Sequence, residues 1–420
     1  MRKITLENFT AQLGLQGKTE AFFASNWEML KEKLGDSPLI PESFTKKFYE
    51  ERKAYFHSPV GRDLYARIEM LLPLLEEFPE CWFFARAVEY MDYKVHIPSA
   101  SGELTVNIPS FGENTPVFYW MVKTGLIPYL RESYQKENIP LSMAESCLET
   151  LIGVAEIRSK GNNGIPGCTL STPSWDRQYA KKQLFRIGRL VYKPLENPWY
   201  LPYIYRHKET GELMVFARDN WLLNGKSQMP YLREEPGPEF RKTHFRKENG
   251  TISGFSIDPY GNCDISCPKT LPASQWEELV STSTLIGDIH IPGGAPFTPE
   301  SILDSMYKAR EFLESYSGRK ITLFACNSWI LNPAWEKLIP NSNIAKFQKE
   351  GYLFPGDCCD VEGLGFVFGK SDGDRLAYPQ TTSLEKAFHE LISKGERLRS
   401  GGIFFLPEDL KHYGTSFYRK

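Results

Sequence analysis

The chain has 420 residues, with 50 basic and 52 acidic side chains, a formal net charge of −2 and 41% hydrophobic residues. That balance excludes an intrinsically disordered chain and gives no electrostatic reason to bind nucleic acid. No stretch approaches the roughly 20 apolar residues of a membrane span, the N-terminus MRKITLENFTAQLG lacks a signal-peptide core, and eight cysteines are too sparse for a secreted scaffold. A cytoplasmic chain with reduced thiols is therefore expected. Its length implies two domains, each large enough to bury its own core. Only Cys263/Cys267 and Cys358/Cys359 lie close in sequence, at spacings unlike those of structural zinc motifs, so no metal is expected.

Apolar side chains recur at three and four in Phe22, Trp27, Leu30 and Leu34, and again in Leu64, Ile68, Leu71, Leu72 and Leu75, which predicts helices. Cys81 to Phe84 in ECWFFARAVEYM reads as buried helix packing, and Ser142 to Ile157 continues the helical pattern. Residues 1–165 are thus expected to form a helical domain. The run KGNNGIPGCTLSTPSWD, Lys160 to Asp176, holds too many Gly, Pro, Ser and Asn residues to continue a helix and marks the boundary. A second domain is expected over 178–420.

That domain begins with strand-like segments, Leu184 to Tyr192, Tyr200 to Tyr205 and Leu213 to Phe216. Asn249-Gly250 predicts a hairpin turn between Phe240–Arg246 and Thr251–Ile257, because both central positions of a type I′ turn need positive φ. Arg241, Lys242, His244, Arg246 and Lys247 alternate there with Phe240 and Phe245, which reads as a solvated strand face rather than a nucleic-acid surface. Ser274 and Glu277 have capping-box spacing ahead of Trp276, Leu279 and Val280, predicting a short helix.

Thr284 to Ile291, TLIGDIHI, predicts a strand with Leu285, Gly287, Ile289 and Ile291 on one face and Ile286, Asp288 and His290 on the other. PGGAPFT follows, then a helix to about Tyr316 with Thr298 as N-cap and Pro299 at its first position. The inward stripe of this helix is Ile302, Met306, Ala309, Leu313 and Tyr316. Lys320 to Trp329 returns as a strand, with Cys326 and Ser328 on one face, and helical segments follow over Asn332–Leu338 and Asn341–Glu350. A glycine loop at a helix start lets backbone N–H groups approach an anion, and the helix dipole adds positive potential. The same two glycines also occur in plain strand-to-helix turns.

The loop HIPGGA resembles the Q/R-x-x-G-x-G/A motif of the GNAT acyltransferase superfamily, with His290, Gly293 and Ala295 at its three defined positions. NIAKFQKEGY, Asn343 to Tyr352, is similar to a later helix of that superfamily, placing Phe347, Gly351 and Tyr352 at its Tyr, Gly and Phe positions. The phrases GDIHIPGG, FACNSWILNP and NSNIAKFQ resemble a bacterial two-domain acyltransferase family with a helical N-terminal domain and a GNAT-like C-terminal domain.

This resemblance implies an α+β protein whose second domain is a mixed β-sheet flanked by helices. It implies an acyl-CoA co-substrate, acetyl-CoA in the first instance, and transfer to an amine of a small molecule or protein by direct attack. The amides of Gly293, Gly294 and Ala295, with Thr298 at the helix start, would bind the pyrophosphate, and backbone groups at Ile289 and Ile291 would hold the pantetheine arm. The acceptor would enter where this strand and Lys320–Trp329 splay apart.

A side chain that titrates near neutrality suits removal of a proton from the amine, so His290 is the candidate base and Asp288, on the same face, its orienting partner. Cys326 and Ser328 would face the cleft, Cys326 being either a nucleophile or a small buried hydrophobe. Three features depart from the superfamily: His290 replaces Gln or Arg, Pro296 removes an amide donor, and Phe347 replaces the tyrosine that often protonates the leaving thiolate. That last change equally suits a non-catalytic acyl-CoA-binding or scaffold protein. A different ligand-binding domain, with the helical half as a protein partner surface, is the remaining alternative.

Overall fold

The periodic apolar stripes do become helices in the computed structural model, which describes residues 3–35, 39–96, 107–169, 173–231, 234–294 and 296–419. The chain divides into two units, Met1–Arg186 with Pro292–Ala295, and Ile187–Ile291 with Pro296–Lys420.

The first unit carries α1 (Leu6–Leu13), α2 (Gly17–Leu34), α3 (Lys46–Glu50), α4 (Pro59–Glu76), α5 (Pro79–Val88), α6 (Thr115–Thr124), α7 (Leu126–Lys136), α8 (Leu141–Gly161) and α9 (Pro173–Ala180). Side-chain caps set several starts: Ser58 accepts from the Gly61 amide at 2.9 Å and Pro59 holds the first position of α4. The core is aromatic. Phe9 meets Phe23 edge-on at 5.1 Å and Trp27 lies 5.0 Å from Phe83. Each such ring buries a large apolar area, and off-parallel geometry adds a further increment.

The turn-rich run before Asp176 is helical from Pro173 on, and the first unit runs to Arg186. A buried ion pair, Lys123 Nζ to Asp176 Oδ2 at 2.9 Å, ties α9 to α6. A charge taken out of water needs such a partner, and the pair is long-range in sequence, which is why no local pattern announced it.

The second unit opens with the hairpin of β1 (Phe185–Ile187, whose first two residues group with the helical unit) and β2 (Leu190–Glu196). It continues with β3 (Tyr203–His207), β4 (Leu213–Phe216), β5 (Leu222–Leu223), β6 (Arg241–Lys242), β7 (Phe245–Glu248), β8 (Thr251–Gly254), β9 (Ser256–Ile257), β10 (Lys269–Pro272) and β11 (Trp276–Glu278). Then come β12 (Leu285–His290), α10 (Pro299–Ser317), β13 (Leu323–Ser328), α11 (Ala334–Leu338), α12 (Asn343–Glu350), β14 (Tyr352–Cys358), α13 (Leu364–Phe368), α14 (Ser383–Ser393) and β15 (Arg399–Phe405).

Six strands form the main sheet in the order β1-β2-β12-β13-β15-β14. The β12–β13 pair is parallel, crossed over by α10, and β2–β12, β13–β15 and β14–β15 are antiparallel. The sheet is therefore mixed and flanked by helices, as the sequence led us to expect. Asn249 and Gly250 have φ of 50° and 73° and join β7 to β8, as the type I′ chemistry demands.

Two readings need correction. Ser274 and Glu277 do not start a helix: a single 3₁₀ turn, Ala273–Gln275, leads into β11, where buried Trp276 pairs with His207 of β3. The sheet edge outcompetes a helix that would have had only two further apolar residues to bury. In α10 the inward stripe ends at Leu313, and Tyr316 is 42% exposed, stacked on Phe312 instead.

Candidate active site

β12 lies inside the sheet, and both of its faces are buried as far as Ile289. With β2 it stays in register along its whole length, from Leu285↔Glu196 to His290↔Val191. With β13 the register runs Ile286↔Leu323, Gly287↔Phe324, Asp288↔Ala325 and then stops. β13 keeps its other neighbour to the end, through Cys326↔Ile403, Asn327↔Gly402 and Ser328↔Gly401. The two parallel strands thus part after Asp288 and Ala325. Backbone groups of the last residues of β12 are released on that side, the form of edge to which an extended chain can add.

β15, on the other side of β13, shapes this region. A Cβ on Gly402 would fall 1.9 Å from the Phe354 ring, and one on Gly401 would fall 2.1 Å from the Leu331 carbonyl oxygen. Only glycines admit those neighbours so closely.

At the opening the side chains are polar. Asp288 is 8% exposed, and the Tyr200 hydroxyl donates a short hydrogen bond to its Oδ1. Its Oδ2 stands 3.3 Å from His290 Nε2, an ion pair whenever the imidazole is protonated. His290 is partly exposed, at 33% of its side chain. Burial and the neighbouring Asp288 carboxylate push the Tyr200 phenol well above its ordinary pKa, so it holds its proton and donates it. The sequence placed Asp288 and His290 on one face, and the structure brings them together.

Cys326 and Ser328 fare differently. Cys326 is fully buried beside Asp288, and burial first, then that carboxylate, drive its thiol well up. A protonated, enclosed thiol is a packing group and a poor nucleophile. Ser328 accepts from the Ile330 amide at 3.4 Å and so caps the 3₁₀ turn Trp329–Leu331.

In the loop, Gly294 has φ +97°, a conformation that strains any residue with a Cβ. Within the first unit Gly293 approaches α8 so closely that a Cβ on Gly153 would lie 2.8 Å from its carbonyl carbon. Ala295 lies outside the described residues. Ile289 is buried in register with Tyr192, and Ile291 follows the strand end. Thr298 caps α10: its Oγ1 accepts from the Ser301 amide at 3.3 Å, and Ser301 Oγ accepts from the Thr298 amide at 3.2 Å. That capping box commits the Thr298 hydroxyl to the helix and leaves the helix N-terminus well ordered.

Two residues near the site escaped the sequence reading. Tyr200 is one. Arg189 is the other: buried, it donates from Nε to the Pro296 carbonyl at 3.1 Å and lies 5.3 Å over the Phe297 ring, so it braces the exit of the loop. Its turn position after Gly188, at φ +60°, was the available hint. Phe297 meets Phe347 edge-on at 5.2 Å, and Phe347 is core, 1% exposed, with no group to give a proton. Among the described residues no three His, Cys, Asp or Glu side chains are grouped to hold a metal, and no helix is long and apolar enough to cross a membrane.

Residues 184–404, slightly more than half of the chain, match the family described as the GNAT-like C-terminal domain. Solved structures share the fold across nearly the whole length. One, an acyltransferase mutant in complex with octanoyl-CoA, aligns over 96% of this chain and 100% of its own, with TM-score 0.56 and 16% identity. An acyltransferase in complex with CoA and 10C-teicoplanin aligns over 96% and 99%, with TM-score 0.55 and 16% identity. An acyltransferase with decanoyl-CoA aligns over 96% and 100%, with TM-score 0.54 and 18% identity. At these identities the likeness is one of fold. No curated protein matches in sequence.

Proposed function

Because the chain belongs to the GNAT-like C-terminal domain family, we propose that it transfers an acyl group from acyl-coenzyme A to an amine by direct attack within a ternary complex. The observation that carries this reading is the Tyr200–Asp288–His290 chain at the point where β12 and β13 part, one short loop from Gly293 and Gly294.

The resemblance assigns the pyrophosphate to the loop amides, and the released edge of β12 at Ile289 and Ile291 suits the amides of the pantetheine arm. His290 takes a proton from the attacking amine, and Asp288 stabilises the imidazolium that results. Tyr200 holds the other carboxylate oxygen and so fixes Asp288. The new N–C bond forms on the thioester carbon, the C–S bond breaks, and the thiolate leaves. With phenylalanine at position 347, water supplies the proton it takes up. Cys326 and Ser328 have no chemical step in this scheme.

The solved structures of similar fold carry octanoyl-CoA, decanoyl-CoA or CoA itself, two of them with teicoplanin or 10C-teicoplanin. Medium-chain acyl-CoAs therefore stand beside acetyl-CoA as donors to test. At a CoA concentration about 100 times its dissociation constant, binding stabilises the fold by roughly 2.7 kcal/mol, a shift of a few degrees in Tm. No shift with CoA, acetyl-CoA or decanoyl-CoA rejects the reading. Binding without thiol release across a panel of amines favours the scaffold alternative, to which the buried Phe347 lends support.

A further inference from the structure

α8 lies outside the stretch that matches the family, yet the loop after β12 rests on it. Gly293 and Gly294 group with α8 in the first unit. Gly153 sits in the interior of that 21-residue helix, where glycine is less favourable than any residue except proline. Its neighbour gives the reason: a Cβ on Gly153 would fall 2.8 Å from the Gly293 carbonyl carbon, 3.0 Å from the carbonyl oxygen and 3.2 Å from the Gly293 Cα. Carbon atoms in ordinary contact stand about 3.5–4.0 Å apart, so helix and loop meet here backbone to backbone.

The contact runs along one stripe of the helix. A Cβ on Gly293 would lie 3.7 Å from Ile157 Cδ1, and one on Gly294 would lie 3.1 Å from the Glu149 carbonyl oxygen. Glu149, Gly153 and Ile157 are spaced four apart and so share a face of α8. The helix is pinned where the loop rests. Arg186, fully buried, donates to Thr150 Oγ1 at 2.8 Å and pairs closely with the Glu149 carboxylate, and Trp120 Nε1 donates to the Leu151 carbonyl at 2.7 Å. A helix so held does not yield to a new methyl group, and the glycine loop must move instead.

Resting on the reading that the loop amides receive the pyrophosphate of acyl-CoA, we propose that Gly153 is a positioning residue of that site: α8 sets the path of Gly293 and Gly294, and with it the affinity for acyl-CoA. Two adjacent glycines leave a loop a wide choice of backbone conformations, and amides aimed at an anion must adopt one of them. A wall that removes the others lowers the ordering cost of binding.

The test uses the full chain and titrates CoA by thermal shift, with acyl-CoA and amine kinetics on the same proteins. Gly153→Ala is expected to raise the CoA dissociation constant and the KM for acyl-CoA about tenfold, the loss of about one well-aligned hydrogen bond, while kcat and the KM for the amine stay within about twofold. Ile157→Ala, which removes the flanking contact, is expected to raise the same two constants about threefold. Val154→Ala, next in sequence but turned about 100° from the stripe, is expected to change neither. Unchanged CoA affinity in Gly153→Ala overturns the proposal. So does an equal loss in Val154→Ala, or a fall in kcat that matches the rise in KM, because each marks a general loosening of the helix. Where Gly153→Ala does not fold, Ile157→Ala decides by the same criteria, and where CoA binds without turnover the dissociation constants alone decide. Absence of a CoA shift in the wild type overturns the reading beneath the proposal.

Discussion

The first half of the β12–β13 pair and its second half are the same two strands under different side chains. Over Ile286, Gly287, Leu323 and Phe324 the residues are apolar and buried, and Gly287 yields its space to the Phe324 ring, 2.5 Å from where its Cβ would be. There the strands stay paired. Beyond Asp288 and Ala325 the pairing has ended, and His290, Asn327 and Ser328 bring polar side chains there, Asn327 exposed. Interdigitated apolar groups hold a ladder together, whereas carboxylate and imidazole need polar partners that an adjacent strand face does not supply. The lesson is that packing in one half creates the opening in the other.

The largest break of that contrast is at His290. His290→Ala is expected to lower kcat by about 100-fold or more, read as thiol release at saturating acyl-CoA. Ile286→Ala attacks the paired half and is expected to cost about 3 kcal/mol of stability, seen in the denaturation midpoint, through the cavity it leaves. Tyr200→Phe sharpens the open half: loss of the hydrogen bond to Asp288 is expected to lower kcat about tenfold with little change in KM for acyl-CoA. Thr298→Ala removes the α10 cap and is expected to cost about 1 kcal/mol, again by denaturation. The smallest effect belongs to Cys326: because burial holds its thiol protonated well past neutrality, iodoacetamide at pH 7 is expected to leave the rate unchanged.

Residues close in sequence made much of this legible. Alternation put Asp288 and His290 together because both lie on one short strand, and Thr298-Pro299 announced α10 because capping is local. Tyr200 was not legible, since its partner is 88 residues away, and neither was the pin from Lys123 to Asp176 across 53 residues. Ser274 to Glu277 misled in the other direction: the spacing of a capping box favours a helix start but does not secure one when a sheet edge is waiting for Trp276. For Cys326, the strand is covered on both faces as far as that residue, so a shared face with Ser328 did not mean a shared cleft.

The most direct test is a paired measurement on wild type and His290→Ala: thiol release with acyl-CoA and amine, alongside the Tm shift given by CoA. The account predicts that the variant keeps the shift and loses about 100-fold or more in turnover. Full turnover in the variant would contradict it and remove the Asp288–His290 pair from the mechanism.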